Sequence, residues 1–114
     1  MNFTESLKKN NDFKEVYSSK KSYANKYAVM YVKKNNLNNN RLGISVSKKV
    51  GNSVVRHRIK RLIKEAYRLQ EDKFKNGYDI VIIARNNIIG REFEEIGKAI
   101  SHLGRLHKLF IDLE

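Results

Sequence analysis

The chain has 114 residues, no cysteine and a formal net charge of +12, from 24 basic and 12 acidic side chains. This length suits one domain, 1–114, and without cysteine there is no disulfide framework, thiolate zinc site or cysteine nucleophile. No apolar run approaches the ~18–20 residues of a membrane span and the N-terminus has no apolar signal core, so we expect a cytoplasmic protein that binds a polyanion.

The first predicted elements are a helix and a strand. Phe13, Val16 and Tyr17 follow helical spacing after polar residues that can cap a helix, so residues 10–18 are predicted to be helical. Alternating apolar residues from Lys26 to Lys33 predict a strand, with Tyr31 on the face that also carries Tyr27, Val29 and Lys33. A further short strand is predicted near Tyr23.

A hairpin is predicted next. The segment KKNNLNNNR is rich in asparagine, which tolerates left-handed backbone, and therefore favours a hairpin loop. Arg41 to Lys48 is then the return strand, with Leu42, Ile44 and Val46 on one face.

The second half of the chain predicts helix, strand and helix. Asn52 or Ser53 can cap a long basic helix, and Gly77 is a candidate for its stop. The continuous apolar run 80–84 predicts a strand buried on both faces and parallel to the strand before the helix. Glu92 to His107 is the last helix. The predicted apolar stripes are Val55, Ile59, Leu62, Ile63, Ala66 and Leu69 in the basic helix, and Phe93, Ile96, Ile100, Leu103 and Leu106 in the last one.

Two glycines of the last helix, Gly97 and Gly104, lie seven residues apart on roughly one face, which suggests close packing there. The elements together predict one α+β domain with a mixed sheet, in the order α-β-β-β-α-β-α.

The basic helix carries charge that the core does not require. Residues 41–68 contain nine Lys or Arg and one Glu. On a helical projection the apolar stripe occupies one side and cations fill the other, and only Glu65 is placed to pair, with Arg61. A solvated charged face is the plain alternative. A membrane surface is a second alternative, but it would need an apolar helix face that the core does not use.

The segment SVSKKVGNSVVRHRIKRLIKEAYR resembles the signature of the bacterial ribonuclease P protein subunit. LKKNNDFKEVY, YAVMYV and YDIVIIAR resemble its first helix and two of its strands, so the resemblance covers nearly all of residues 7–108. His57 is a departure, because asparagine is commonest there in the family. The resemblance implies a fold similar to a domain of ribosomal protein S5, with a left-handed βαβ crossover.

The resemblance also implies a function. Bacterial ribonuclease P removes the 5′ leader from precursor tRNA by phosphodiester hydrolysis. Its RNA subunit is the catalyst and uses Mg²⁺ bound mainly by RNA and substrate, while the protein binds that RNA and the leader and raises substrate and metal affinity. No catalytic residue, protein-bound metal or obligate protein partner is expected in this chain. Its acidic residues Glu92, Glu94 and Glu95 match a helix N-terminus rather than a metal site.

Two RNA-binding surfaces follow from the resemblance. The surface expected to bind the RNA subunit comprises Lys49, Asn52, Arg56, His57, Arg58, Lys60, Arg61, Lys64 and Arg68. The surface expected to bind the single-stranded leader comprises Phe13, Tyr17, Tyr31, Ser47, Lys48 and Arg85. Aromatic side chains provide sequence-tolerant stacking platforms for single strands, although core packing is the plain alternative for Phe13 and Tyr17.

Three other functions remain open. A ribosomal or other structural RNA-binding protein fits the charge and the fold class. A DNA-binding module fits less well, since no short helix precedes the basic helix as in a helix-turn-helix. A free-standing protein nuclease would have to cleave RNA with metal on its own.

Overall fold

The structure is a computed structural model that describes residues 4–111 as helices packed on both faces of a five-stranded mixed sheet. The strands are β1 Thr4–Ser6, β2 Ser22–Ala24, β3 Ala28–Lys34, β4 Asn40–Ser45 and β5 Tyr78–Ala84, and the helices are α1 Asn10–Ser18, α2 Ser53–Arg68 and α3 Phe93–Leu106. Short 3₁₀ turns follow α2 and β5. The predicted α+β class and element order are confirmed, and β1 is an addition that the sequence did not predict.

The predicted hairpin is wrong. The strand order is β1-β4-β5-β3-β2, so β5 lies between the two strands that the asparagine-rich loop connects. β5 is parallel to β4, as predicted, and antiparallel to β3. The reason lies in β5 itself: residues 80–82 are fully buried, and a strand this apolar on both faces takes the centre of a sheet. The handedness of the β4-α2-β5 crossover stays a prediction.

One face of the sheet carries the main core, beneath α2 and α3. Met30, Ile80 and Ile82 of the sheet meet Ile59 and Ile63 of α2 and Ile96, Ile100 and Leu103 of α3. Tyr67 belongs to this core and was missed, because tyrosine at a helix end is usually amphipathic. Leu69 was predicted in the stripe but is 57% exposed, since α2 ends before it.

The other face of the sheet is covered only in part, by α1. A small cluster forms there from Leu7, Val16 and Val81, with Phe13, Tyr17, Tyr31 and Ile83 packed around it. Tyr27 was predicted on the same face as Tyr31, and this prediction is wrong. Tyr27 lies before β3 and packs on the α3 side of the sheet, where its hydroxyl donates a hydrogen bond to Glu95 at 3.2 Å. Asn25 stabilises the turn that precedes β3, because its Oδ1 accepts hydrogen bonds from the backbone N–H groups of Tyr27 and Ala28.

The predicted roles of the glycines are confirmed at one position and wrong at two. Gly104 packs closely, since a Cβ there would lie 2.7 Å from the Phe110 ring and 3.1 Å from Phe74. Gly97 meets nothing within 4 Å of such a Cβ. Gly77 does not stop α2, which ends at Arg68; with φ of +97° it forms the turn into β5.

Candidate nucleic-acid interfaces

The basic helix α2 is positioned by its cap and its apolar side. Asn52 is the N-cap, and its Oδ1 accepts from the Val55 N–H at 3.0 Å. Ile59, Ile63 and Ala66 bury one side of the helix against the sheet and α3. The charged side chains between them therefore face outward, and the first turn carries no acidic residue to complement the positive end of the helix dipole.

The outer surface of α2 and the turn before it contain every residue predicted to bind the RNA subunit. Arg56 is half-buried, and the others are exposed: Lys49, Asn52, His57, Arg58, Lys60, Arg61, Lys64 and Arg68. Within residues 4–111, no acidic group lies within 4 Å of the charged groups of Arg56, Arg58, Lys60, Arg61 or Lys64. Five cations of this surface, from Arg56 to Lys64, are therefore unpaired within the described residues.

The predicted pair between Glu65 and Arg61 is wrong. Glu65 instead accepts from Arg68, whose Nε lies 2.9 Å from Oε2. The hydrogen bond from Arg68 lowers the pKa of the Glu65 carboxyl. Arg68 is consequently the one cation of the predicted set that already has an acidic partner among the described residues.

Arg56 has a donor without an acceptor. Its Nε is buried and makes no hydrogen bond within the described part of the chain. Leaving a buried donor unsatisfied costs about 1–3 kcal/mol. Arg56 lies in the first turn of α2, at the end of the helix where the dipole favours anions.

The second predicted surface forms around the aromatic residues of α1 and β3. The Tyr17 and Tyr31 rings meet edge to face with centroids 5.1 Å apart, and Phe13 lies 6.4 Å from Tyr17. Burial raises the pKa of the Tyr17 hydroxyl, which also hydrogen-bonds to Ser45. All three rings are only partly buried, so they combine packing on the small cluster with a surface open to solvent.

The polar residues predicted beside these rings follow the C-terminal ends of β4 and β5. β4 ends at Ser45, earlier than predicted, so Ser47 and Lys48 belong to the following turn, which the Val50 N–H to Ser47 carbonyl bond closes at 3.0 Å. Arg85 follows β5 and donates to the Asn25 carbonyl at 3.1 Å. Because β4 and β5 are parallel neighbours, both segments leave the sheet at the same end of these strands.

Two cations on this face, Arg41 and Lys33, are paired with acidic groups of the protein. Arg41 forms two hydrogen bonds to the Asp79 carboxylate, at 2.8 and 2.6 Å, and lies 3.8 Å from Asp12. Lys33 pairs with Glu15 at 3.2 Å. Burial of Asp79 opposes ionisation, but the hydrogen bonds from Arg41 and Asn35 prevail and hold its pKa below the usual value. The sequence pattern did not predict this network, because an aspartate that opens an apolar strand indicates a buried carboxylate but not the distant residue that pairs with it.

The histidines do not converge. His57 is exposed on α2, and His102 is exposed with Nδ1 3.3 Å from the Asn25 amide. His107 is half-buried with Nε2 2.8 Å from the Met30 carbonyl. No group of three or more His, Asp or Glu that could hold a metal ion occurs in residues 4–111. None of the helices in that range is long and apolar enough to span a membrane.

Comparison with known proteins identifies the family. The family model described as ribonuclease P matches residues 1–108. The ribonuclease P protein component of Lachnoclostridium phytofermentans is 58% identical, covering 97% of this chain and 96% of that one. The component from Clostridioides difficile is 53% identical over 90% of each chain.

Solved structures agree with the sequence relatives. The ribonuclease P protein of Staphylococcus aureus superposes with a TM-score of 0.84 at 36% identity, covering 93% of this chain and 97% of that one. The Thermotoga maritima protein gives a TM-score of 0.81 at 30% identity, covering 89% and 96%. The fold, the basic helix and the matched length agree, and the chain therefore belongs to the ribonuclease P protein family.

Proposed function

We propose that this chain is the protein subunit of a ribonuclease P holoenzyme that removes the 5′ leader from precursor tRNA. It binds the catalytic RNA through α2 and the leader through the aromatic surface of α1 and β3. It works in the cytoplasm and needs no other protein partner.

The observation that carries the proposal is the unpaired charge of α2. An ordinary solvated helix face interleaves acids and bases, each pair contributing about 0.2–0.5 kcal/mol. α2 instead presents Arg58, Lys60, Arg61 and Lys64 without acidic partners among the described residues, together with the unsatisfied Nε of Arg56. RNA phosphates would supply the counter-charge.

The aromatic surface supports leader binding. A leader is single-stranded and varies in sequence, so its recognition suits stacking rather than base-edge hydrogen bonds. Tyr17 and Tyr31 are held at a fixed angle to each other and remain partly open. The polar residues that follow the C-terminal ends of β4 and β5 would contact the leader backbone: Ser47, Lys48 and Arg85.

Hydrolysis is assigned to the RNA subunit. The described residues offer no grouping of acids and histidines suited to Mg²⁺, so we place the metal on the RNA and the substrate. Bound there, Mg²⁺ would activate the attacking water and stabilise the leaving oxygen. The protein contributes positive charge that lowers the repulsion between two RNAs, which raises affinity for substrate and metal.

Reconstitution tests the proposal. Precursor tRNA is incubated with protein alone, ribonuclease P RNA alone, and both, at low Mg²⁺. We expect cleavage at the leader junction only with both components, and restoration of RNA-alone activity at high Mg²⁺. Cleavage by nuclease-treated protein alone would contradict the assignment of catalysis to RNA. Failure of the protein to bind or stimulate the RNA would contradict the proposed function itself.

A further inference from the structure

A groove of about 270 Å³ runs between one flank of α2 and the β1 edge of the sheet. Its cationic wall carries His57, Lys60 and Lys64, which recur at intervals of three and four residues and so lie along one stripe of the helix. Its floor is Leu42 and Ile44 of β4, whose register partners in β5, Ile80 and Ile82, belong to the core under α2.

The groove has a polar wall and a closed end. Ser6 lines it from β1; it pairs with Leu42 in parallel register, so both side chains point toward α2. Farther along the same helix stripe, the Tyr67 hydroxyl hydrogen-bonds to Thr4 at 2.9 Å and joins helix and strand. The groove is therefore closed toward Tyr67 and open toward His57, at the N-terminal half of α2.

This combination of walls differs from the rest of α2. Apolar side chains such as Val54 are also exposed elsewhere on α2, but there the helix alone lines the surface, without residues of the sheet. Here an apolar floor lies beneath the cations, beside a hydroxyl that can donate and accept. Drug-sized ligands occupy pockets of about 300–1,000 Å³, and the groove lies just below that range at about 270 Å³, which suits a smaller ligand such as one base with its sugar.

We infer that the groove receives a single unstacked nucleotide of the bound RNA subunit. The base lies on Leu42 and Ile44, Ser6 hydrogen-bonds to its edge or sugar, and Lys60 and Lys64 contact the flanking phosphates. The inference rests on the proposed function, since it specifies how α2 holds that RNA. It assigns α2 a contact with an extruded base in addition to its contacts with phosphates.

Filling the groove without changing charge tests the inference. Ser6 is exposed, so Ser6→Phe would occupy the groove and leave every cation in place. We expect affinity for the RNA subunit, measured without precursor tRNA, to fall at least about fivefold, the lower limit of what one stacked base contributes. The slope of log affinity against log salt should change little, because every cation remains available to the RNA backbone.

Ser22→Phe is the matched control. Ser22 is an exposed serine in β2, the opposite edge strand, and its substitution should leave RNA-subunit affinity as in the unmodified protein. Unchanged affinity of a folded Ser6→Phe protein would overturn the groove assignment while leaving the proposed function intact. Absence of RNA binding by the unmodified protein would instead overturn the proposed function.

A second measurement needs no variant. The unmodified protein is titrated with adenosine monophosphate and, separately, with inorganic phosphate, while NMR follows the methyl groups of Leu42 and Ile44. We expect the nucleotide to shift both methyl resonances through its ring and phosphate to leave them in place. Equal responses to the two probes, or no response to the nucleotide, would mean that no base enters the groove.

Discussion

The outer surface of α2 and the aromatic surface of α1 and β3 treat charge in opposite ways. On α2, five cations from Arg56 to Lys64 have no acidic partner in the described residues. Around the aromatic surface, Arg41 and Lys33 are paired with Asp79 and Glu15. The first surface thus leaves its cations available to an external anion, whereas Arg41 and Lys33 hold elements of the second surface together.

The difference separates long-range from short-range recognition. Unpaired cations attract RNA over roughly a Debye length, about 8–10 Å at moderate salt, and bind it in a salt-dependent way. Partly buried rings act only in contact and depend weakly on salt. The comparison thus predicts that salt affects RNA-subunit binding strongly and the extra affinity given by the leader less, since Lys48 and Arg85 are the only cations of the proposed leader surface.

The largest effect is expected from neutralising α2. Replacing Arg56, Arg58, Arg61 and Lys64 by glutamine should weaken RNA-subunit binding by orders of magnitude at moderate salt, and each lost contact should reduce the salt slope by roughly 0.7–0.9. Binding titrations over a series of salt concentrations provide the measurement.

The control for that variant removes the same charge elsewhere. Lys20, Lys21, Lys34 and Lys98 are all exposed and lie outside α2, so their replacement by glutamine should change the slope much less. Equal losses for the two quadruple variants would show that net charge alone drives binding, and would remove the distinction between the surfaces.

The next largest expected effect is on the stability of the fold. Arg41→Met leaves the nearly buried Asp79 carboxylate without its main partner, and breaking such a pair costs about 3 kcal/mol or more. Lys33→Met breaks the exposed pair with Glu15 and should cost under about 1 kcal/mol. Urea unfolding of both variants gives the comparison. Similar small losses would mean that the Asp79 network does not hold this face together.

The same network predicts how stability depends on pH. Asp79 has a folded-state pKa below the ordinary value of about 3.9. Its ionised form therefore stabilises the fold above that pH, and this contribution is lost as the pH falls through the folded-state pKa. We expect the free energy of unfolding to fall less steeply on acidification below about pH 4 in Asp79→Asn than in the unmodified protein. Parallel curves would exclude Asp79 as the titrating group.

Truncating Tyr31 should affect only the leader. Tyr31→Ala removes a ring that packs edge to face on Tyr17, and one stacked base contributes about 1–3 kcal/mol. Holoenzyme affinity for leader-bearing precursor tRNA should fall by up to about that amount, with affinity for mature tRNA and for the RNA subunit unchanged.

Tyr23 supplies the matched control for Tyr31. It also packs edge to face on a ring, that of His107, and is 47% exposed on β2. Tyr23→Ala should leave leader affinity intact. Equal losses for both tRNA forms in an assembled Tyr31→Ala holoenzyme would place Tyr31 outside the leader contact.

The smallest effect comes from α3, which touches neither surface. Gly97→Ala meets no atom and should raise stability by up to about 1 kcal/mol through helix propensity. Gly104→Ala would push on Phe110 and Phe74 and should lower it. Thermal unfolding distinguishes the two. A stabilised Gly97→Ala background that left RNA and leader affinities unchanged would show that both surfaces act through contacts rather than through overall stability.

Local patterns predicted the elements well. Helical spacing placed α1 at Asn10–Ser18 and the Asn52 cap placed the start of α2, because caps and periodicity are short-range properties. Partner choice within the sheet was predicted less well. The loop between β3 and β4 favours a hairpin locally, but the burial of β5 on both faces outweighs that preference.

The two candidate surfaces also differ in how well local sequence patterns predicted them. The cationic side of α2 follows from composition and helical projection. The partner predicted for Glu65 was wrong, because Glu65 hydrogen-bonds to Arg68 and not to Arg61. The aromatic surface depended on the family resemblance, since partly buried rings have the sequence pattern of core residues. The Arg41–Asp79 pair and the groove beside Ser6 join residues distant along the chain, so no local pattern could have predicted them.

The central place of β5 has a consequence for how the chain folds during synthesis. β5 pairs with both β3 and β4, yet it is made after them and after the whole of α2. A nascent chain that ends before Tyr78 has two strands without their shared partner. We therefore expect the sheet to close late, only after residue 84 has left the ribosome, and slowly, as non-local pairing requires. Until then the basic helix is exposed to cellular RNA without the core that fixes its orientation.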